Sequence, residues 1–169
     1  MIDRFRIVPF SVSEGNFAVL TRLLHACYAS LLEQGFEFTA TRQSVDTTRA
    51  RTASGECWIG LDGEEWAGTV TWYRPDPNHQ VVAYRDPKVA HFGQLGVLPN
   101  VRGRGLGKAL VDHVGNRAKV SGFSRLALDT AAPATGLLDL YARWGFEIVG
   151  EHDWRPGVNY PSLVLAKTL

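Results

Sequence analysis

The chain has 169 residues, of which 45% are hydrophobic and 21% charged, with a formal net charge of +1. That length suits one domain over residues 1–169 and would cramp two. The balanced charge removes any global electrostatic case for a nucleic-acid or membrane partner, so an anion site must be local.

Cys27 and Cys57 sit in apolar contexts without CxxC spacing and read as buried thiols in a reducing compartment. Met1 to Phe10 alternates polar and apolar residues and reads as no signal peptide. No apolar run nears the ~18 residues of a membrane span. The expected location is the cytoplasm.

In chain order, Arg4 to Val8 reads as a strand closed by Pro9. A helix starts near Ser13 and carries Phe17, Leu20, Leu23, Leu24, Cys27, Tyr28 and Leu31 at helical spacing, with Gly35 as its stop. Thr41 to Ala53 is polar and predicts a second, more exposed helix. Cys57–Leu61 and Trp66–Tyr73, joined at Asp62-Gly63, predict a β-hairpin. Arg74 to Pro87 is proline-rich loop, and Ala90 to Leu98 is the next strand. A helix follows over Leu106–Lys119, a strand over Arg125–Thr130, and a helix from Pro133 or Ala134 to Trp144. Strands at Phe146–Gly150 and Leu163–Ala166 close the chain. This order predicts a mixed sheet with helices, of α+β class, and not a regular βαβ alternation.

The stretch Arg102-Gly103-Arg104-Gly105-Leu106-Gly107-Lys108 stands between a strand and a helix N-terminus. That arrangement holds phosphate, because the first helical N–H groups lack acceptors and the helix dipole is positive there. It is not a P-loop: the required first glycine falls on Arg102, and Ala109 replaces the hydroxyl residue. It is not a dinucleotide fingerprint either, since the last glycine falls on Lys108 or Leu110, depending on the start.

Arg102-x-x-Gly105-x-Gly107, following Leu95-Gly96-Val97-Leu98-Pro99, resembles motif A of the GNAT family of N-acetyltransferases. Leu140-Tyr141-Ala142-Arg143-Trp144-Gly145-Phe146 resembles that family's second segment, at a typical separation. The resemblance implies the GNAT acyl-CoA N-acyltransferase fold, with a central mixed sheet of about seven strands and about four helices. It implies acetyl-CoA as the acyl donor. The strands Ala90–Leu98 and Arg125–Thr130 would splay, with the pantetheine arm pairing to backbone across Leu95, Gly96, Val97 and Leu98, beside Thr130. The pyrophosphate would rest on amides from Gly103 to Lys108, with charge from Arg102, Arg104 and Lys108. Lys108 either reaches a phosphate or begins the helix surface. An asparagine that many members carry seven residues before the tyrosine is replaced here by Ala134.

Acetyl transfer to an amine needs a neutral amine, a donor for the oxyanion and a proton for the leaving thiolate. By resemblance Tyr141 is the proton donor; spacing alone also allows a core aromatic. A backbone N–H near Val97 or Leu98, at a β-bulge, would serve the oxyanion. His91 is the one titratable group in its strand and shares the parity of Gly93, Leu95 and Val97. It reads as a general base or as a strand-edge histidine, with His152 and Asp153 as alternatives, or the amine loses its proton to water. The acceptor would meet Phe36, Glu37, Phe38, Trp72, Tyr73, Arg74, Trp154, Arg155, Asn159 and Tyr160, which suits a primary amine of a small molecule. A protein N-terminus or lysine, or a non-catalytic acyl-CoA-binding module, is the alternative. No metal site is expected. By resemblance the last strands can form a homodimer, with oligomeric state left open.

Overall fold

The computed structural model describes residues 5–169, so Arg4 and the residues before it lie outside the described part. Seven strands form one sheet in the order β1-β2-β3-β4-β5-β7-β6. They are β1 (Phe5–Pro9), β2 (Glu56–Asp62), β3 (Glu65–Tyr73), β4 (Val89–Val97), β5 (Arg125–Ala131), β6 (Glu147–His152) and β7 (Ser162–Thr168). All neighbours are antiparallel except β4 and β5. The mixed α+β class is as expected.

The helices are α1 (Glu14–Glu33), α2 (Thr39–Arg42), α3 (Val45–Ala53), α4 (Leu106–Val120) and α5 (Thr135–Arg143). The single helix expected over Thr41–Ala53 is two. Gln43 takes an extended conformation (φ −59°, ψ 144°) and turns a buried amide inward. Ser44 then restarts the helix by accepting from Thr47 N–H at 3.1 Å. The loop before β4 holds a short 3₁₀ turn, Val82–Arg85, which the proline count concealed.

Alternation in β2 builds both cores at once. Cys57, Ile59 and Leu61 face Leu20, Leu24 and Cys27 of α1. Trp58 and Gly60 face the other way, where a Cβ on Gly60 would lie 2.7 Å from Leu106 of α4. α4 presents Leu106, Leu110, Val111 and Val114 to Val70, Trp72, Phe92 and Leu126, and α5 adds Tyr141 to the same cluster. The sheet is thus covered by α1 on one face and by α4 and α5 on the other. Each fully buried Leu contributes about 1.5–3 kcal/mol.

β4 carries a bulge. Thr69 pairs with Gly96 and Thr71 with Gly93, so Gln94 and Leu95 together oppose one residue of β3. Gln94 takes positive φ, 52°, unusual for a non-glycine residue. The bulge thus lies three residues before Val97–Leu98, where the resemblance placed it. It also reverses side-chain parity. Phe92, Leu95 and Val97 pack on the α4 core, whereas a Cβ on Gly93 would meet Arg51 and one on Gly96 would meet Cys27. His91 therefore shares a face with Gly93 and Gly96, not with Leu95 and Val97 as unbroken alternation predicts.

α1 approaches β4 closely at Gly96, where an added Cβ would stand 2.7 Å from Cys27 Cβ. Gly96→Ala should cost about 1–3 kcal/mol through overpacking. Urea unfolding should show a lower midpoint at unchanged m.

Candidate active site

β4 and β5 pair over Val89–His91 against Arg125–Ala127 and then part. Beyond that point the sheet is open, and the gap widens into a cleft of about 1280 Å³. Its walls come from β4 (Gly93 to Val97), β5 (Leu128 to Thr130), α1, α5 and the turn before α4. Leu98 N–H donates to Ala67 O at 2.8 Å, so it faces β3 and is not free for an oxyanion. By strand alternation the Val97 N–H then points the other way, into the gap.

The turn at the cleft's end is shaped by backbone. Gly105 caps α4 at φ 95° and Gly103 has φ 76°, both costly for any residue with a Cβ. The first bond of α4 runs from Ala109 N–H to Gly105 O, which leaves Leu106, Gly107 and Lys108 N–H without helical acceptors. Gly107 serves packing: a Cβ there would lie 3.4 Å from Trp144 and 3.6 Å from Val97.

Two of the expected charges already have partners within the protein, although Arg102 lines the cleft. Arg102 is spent on the scaffold. Its Nε donates to Val97 O (3.2 Å), one terminal nitrogen to Ser30 Oγ (2.9 Å) and the other to Cys27 O. Arg104 turns outward, donating to Asp62 Oδ2 at 2.8 Å and lying over the Phe5 ring. Lys108 remains at the cleft's edge, held by Asp112 at 2.6 Å, an exposed i,i+4 pair worth only about 0.3–0.5 kcal/mol.

Tyr141 stands in the cleft wall, packed edge-on against Trp144 and Phe146. No hydrogen-bond partner takes its hydroxyl among the described residues, yet that oxygen is not sealed off, so it opens on the cleft. Burial raises its pKa well above the ordinary phenol value, with Tyr28 and Asp129 adding to the shift. It is therefore a neutral O–H donor at any physiological pH.

The profile of the Acetyltransferase (GNAT) family matches residues 20–146. The chain belongs to the GNAT acetyltransferase family. Solved structures agree in fold. An IAA acetyltransferase from Bacillus cereus superposes with a TM-score of 0.68 at 19% identity, covering 98% of this chain and 99% of that one. A GNAT family acetyltransferase from Elizabethkingia anophelis with acetyl-CoA bound has a TM-score of 0.68 at 19% identity, covering 99% of each. The ribosomal-protein-S18-alanine N-acetyltransferase of Escherichia coli has a TM-score of 0.70 at 15% identity, covering 97% of this chain and 93% of that one. Among curated protein sequences none matches the chain.

In this GNAT chain His91 does reach the cleft, but in a setting that weakens it as a base. Its ring stacks on Tyr84 (3.9 Å between centroids) and Tyr73 (5.2 Å), and its Nδ1 is buried without a partner. Desolvation, with a smaller effect from His79, pushes its pKa down to about 3. Asp153 is tied to Arg155 through Nε, a terminal nitrogen and the backbone N–H, which holds its pKa at about 2. His152 packs against Trp154 at 4.3 Å.

Of the expected acceptor residues, Phe36, Phe38, Tyr73, Arg74, Trp154 and Tyr160 line the cleft. Trp72 is core, 1% exposed, with Nε1 donating to Glu56. Asn159 is a clip, accepting from Glu37 N–H (2.9 Å) and donating to Gly35 O (2.7 Å). Glu37 pairs with Arg42. Thr130 lies in the wall, buried, and Ala134 caps α5 without a side-chain bond.

Cleft residues that local patterns did not reveal include Tyr28, Arg51, His79, Tyr84 and Asp129. Tyr28 looked like one more residue of an apolar stripe, yet its hydroxyl donates to Leu95 O at 2.6 Å. Asp129 accepts from Tyr84 (2.7 Å) and from Trp154 Nε1 (2.9 Å).

His91 also predicts how stability depends on pH. Its folded pKa is depressed from 6.5 to about 3, so between those values the unfolded chain binds more protons. Its stabilising contribution is complete above pH ~6.5 and declines as pH falls, by up to about 1.4 kcal/mol per unit. Urea midpoints at neutral and mildly acid pH should therefore diverge less in His91→Phe than in the parent. His79 and His113, shifted the same way, leave a residual slope.

Proposed function

We propose that the protein is an acetyl-CoA-dependent N-acetyltransferase that acetylates a primary amine of a small molecule by direct attack, with both substrates bound together. The observation that carries this reading is one open gap between β4 and β5 with an unsatisfied helix N-terminus at one end and the free Tyr141 hydroxyl in its wall.

The residues fit acetyl-CoA. Backbone N–H groups from Gly103 to Lys108 would hold the pyrophosphate, because a diphosphate needs several donors and the glycines keep the approach open. The Val97 N–H and the edge of β4 near Leu95 and Gly96 would hold the pantetheine arm. Bound acetyl-CoA supplies an acyl group activated as a thioester. Tyr141 supplies the proton that the departing thiolate takes up. The Val97 N–H is the backbone donor placed to meet negative charge on the acyl oxygen. His91 is held neutral and serves as an aromatic wall, and the amine reaches its neutral form by losing a proton to solvent. Asn159 clips the loop after α1 to the loop before β7, next to the cleft-lining Phe36 and Tyr160, and two joined loops at the acceptor side support a small molecule over a folded protein surface.

Thiol release from acetyl-CoA across a panel of amines tests this reading. Tyr141→Phe should lower kcat by about 10²-fold with little change in CoA affinity; unchanged turnover would remove Tyr141 from the chemistry. Arg104→Ala should leave the CoA dissociation constant within about twofold, because its guanidinium is committed to Asp62. Lys108→Glu should weaken CoA binding about tenfold through repulsion at the phosphates. Calorimetric titration with CoA reads both.

A further inference from the structure

The acceptor half of the cleft contains a cation that no acid among the described residues pairs with. Arg51, in the last turn of α3, is half-buried and borders the cleft. No carboxylate pairs with it among the described residues, whereas Arg6, Arg42, Arg49, Arg104, Arg117 and Arg155 each have one. A buried or half-buried charge without a counter-ion is costly unless something else supplies one.

Arg51 is also held in place. Its Nη1 donates to Gln43 Oε1 at 2.7 Å. Gln43 Nε2 donates to Gln94 Oε1 (2.9 Å) and Thr48 Oγ1 (2.7 Å), and Gln94 Nε2 donates to Thr71 Oγ1 (3.2 Å). All four of these partners are buried. A chain of amides thus runs from the bulge of β4 to the guanidinium and fixes its position. Nη2 is left over Gly93, where a Cβ would lie 3.6 Å away, at the point where β4 leaves β5. Around it stand the phenols of Tyr28, Tyr73 and Tyr160, which feel its charge. The acids of the cleft are occupied elsewhere: Asp129 by Tyr84 and Trp154, Asp76 by Asn78 N–H.

We infer that Arg51 is the counter-ion for a carboxylate carried by the acceptor, so that the substrate is an amino acid or another amine bearing a carboxylate near its nitrogen. The inference rests on the acetyltransferase reading above. Nη2 and the second hydrogen of Nη1 form a planar fork that matches a carboxylate. With the acid end on Arg51 above Gly93, the amine end lies toward Leu95, Val97 and Tyr141, where the acyl group is to be transferred. A polyphosphorylated acceptor would meet Asp76 and Asp129 in the same space.

The test uses the intact enzyme with saturating acetyl-CoA and three matched series: L-amino acids, their carboxamides and the decarboxylated amines. The best carboxylate acceptor should exceed its carboxamide and its decarboxylated partner by about tenfold or more in kcat/KM. In Arg51→Gln the KM for that acceptor should rise about 10- to 100-fold at little-changed kcat, and the preference for the carboxylate should vanish. Arg51→Lys, which keeps the charge without the fork, should retain part of the preference. Circular dichroism melting of both variants establishes that they fold. Equal use of carboxylates and carboxamides by the parent enzyme, or an undiminished preference in Arg51→Gln, overturns the assignment while leaving the acetyltransferase reading intact. If no series is acetylated although CoA binds, the acetyltransferase reading fails. Calorimetry of the CoA-loaded protein with the same amino acids then decides: heat that Arg51→Gln abolishes upholds the carboxylate site, and no heat refutes it.

Discussion

Two parallel strands that pair for three residues and then part decide what this molecule can hold. A continuous sheet would satisfy the inner edges of both strands and leave no room for a ligand. Here β5 is fastened to β7 along its whole length, Arg125–Ala131, while β4 is fastened to β3. Neither can swing across to close the gap. The cost is a row of backbone groups facing open space, and the fold leaves them accessible instead of burying them, as their polarity demands. An extended ligand that brings its own donors and acceptors completes the sheet, which is how a cleft through the middle of a sheet differs from a pocket on its surface.

The bulge at Gln94 connects that gap to the acceptor side. A non-glycine residue at positive φ costs about 1–2 kcal/mol, so something must hold it there. The amide of Gln94 bonds both Gln43 and Thr71 in a buried setting, and bonds of that kind contribute about 0.5–1.5 kcal/mol each. Breaking them would leave buried amides unpaired, a larger penalty than the strain. The same amides orient Arg51. One local irregularity in β4 thereby sets the direction of the strand edge, the parity of Leu95 and Val97, and the position of a charge on another element.

Much of this was legible in sequence. The hairpin at Asp62-Gly63 and the core stripes of α1 and α4 follow from local periodicity, and the two spaced motifs together carried the fold. The failures share a cause. A bulge depends on how two strands register, and nothing in Gln94-Leu95 announces it, so parity counted from His91 gave the wrong companions. Gln43 broke a helix because its amide is needed by a partner fifty-one residues away. Arg51 lay in a polar stretch without pattern, and only the tertiary structure shows that it faces the cleft. Tyr28 and Trp72 were both aromatic residues in apolar runs. One donates into the cleft wall and the other is sealed in the core.

The glycine turn shows most clearly where a motif can mislead about mechanism. Its arginines suggest a basic patch for phosphate, and a basic patch would bind many anions weakly. The structure uses those side chains otherwise: Arg102 ties the turn to α1 and to β4, and Arg104 ties it to β2. What remains for an anion is mainly backbone, a set of N–H groups fixed in direction by Gly103 and Gly105 and by the start of α4. Directed donors select by shape as well as charge, because each must find an oxygen at the right place. On the acetyl-CoA reading proposed above, the arginines would act at one remove, by holding the turn rigid while its backbone discriminates. A turn that bound by side-chain charge alone would tolerate loop motion. One that binds by backbone cannot, and three donors of a single guanidinium, that of Arg102, hold this turn to its neighbours.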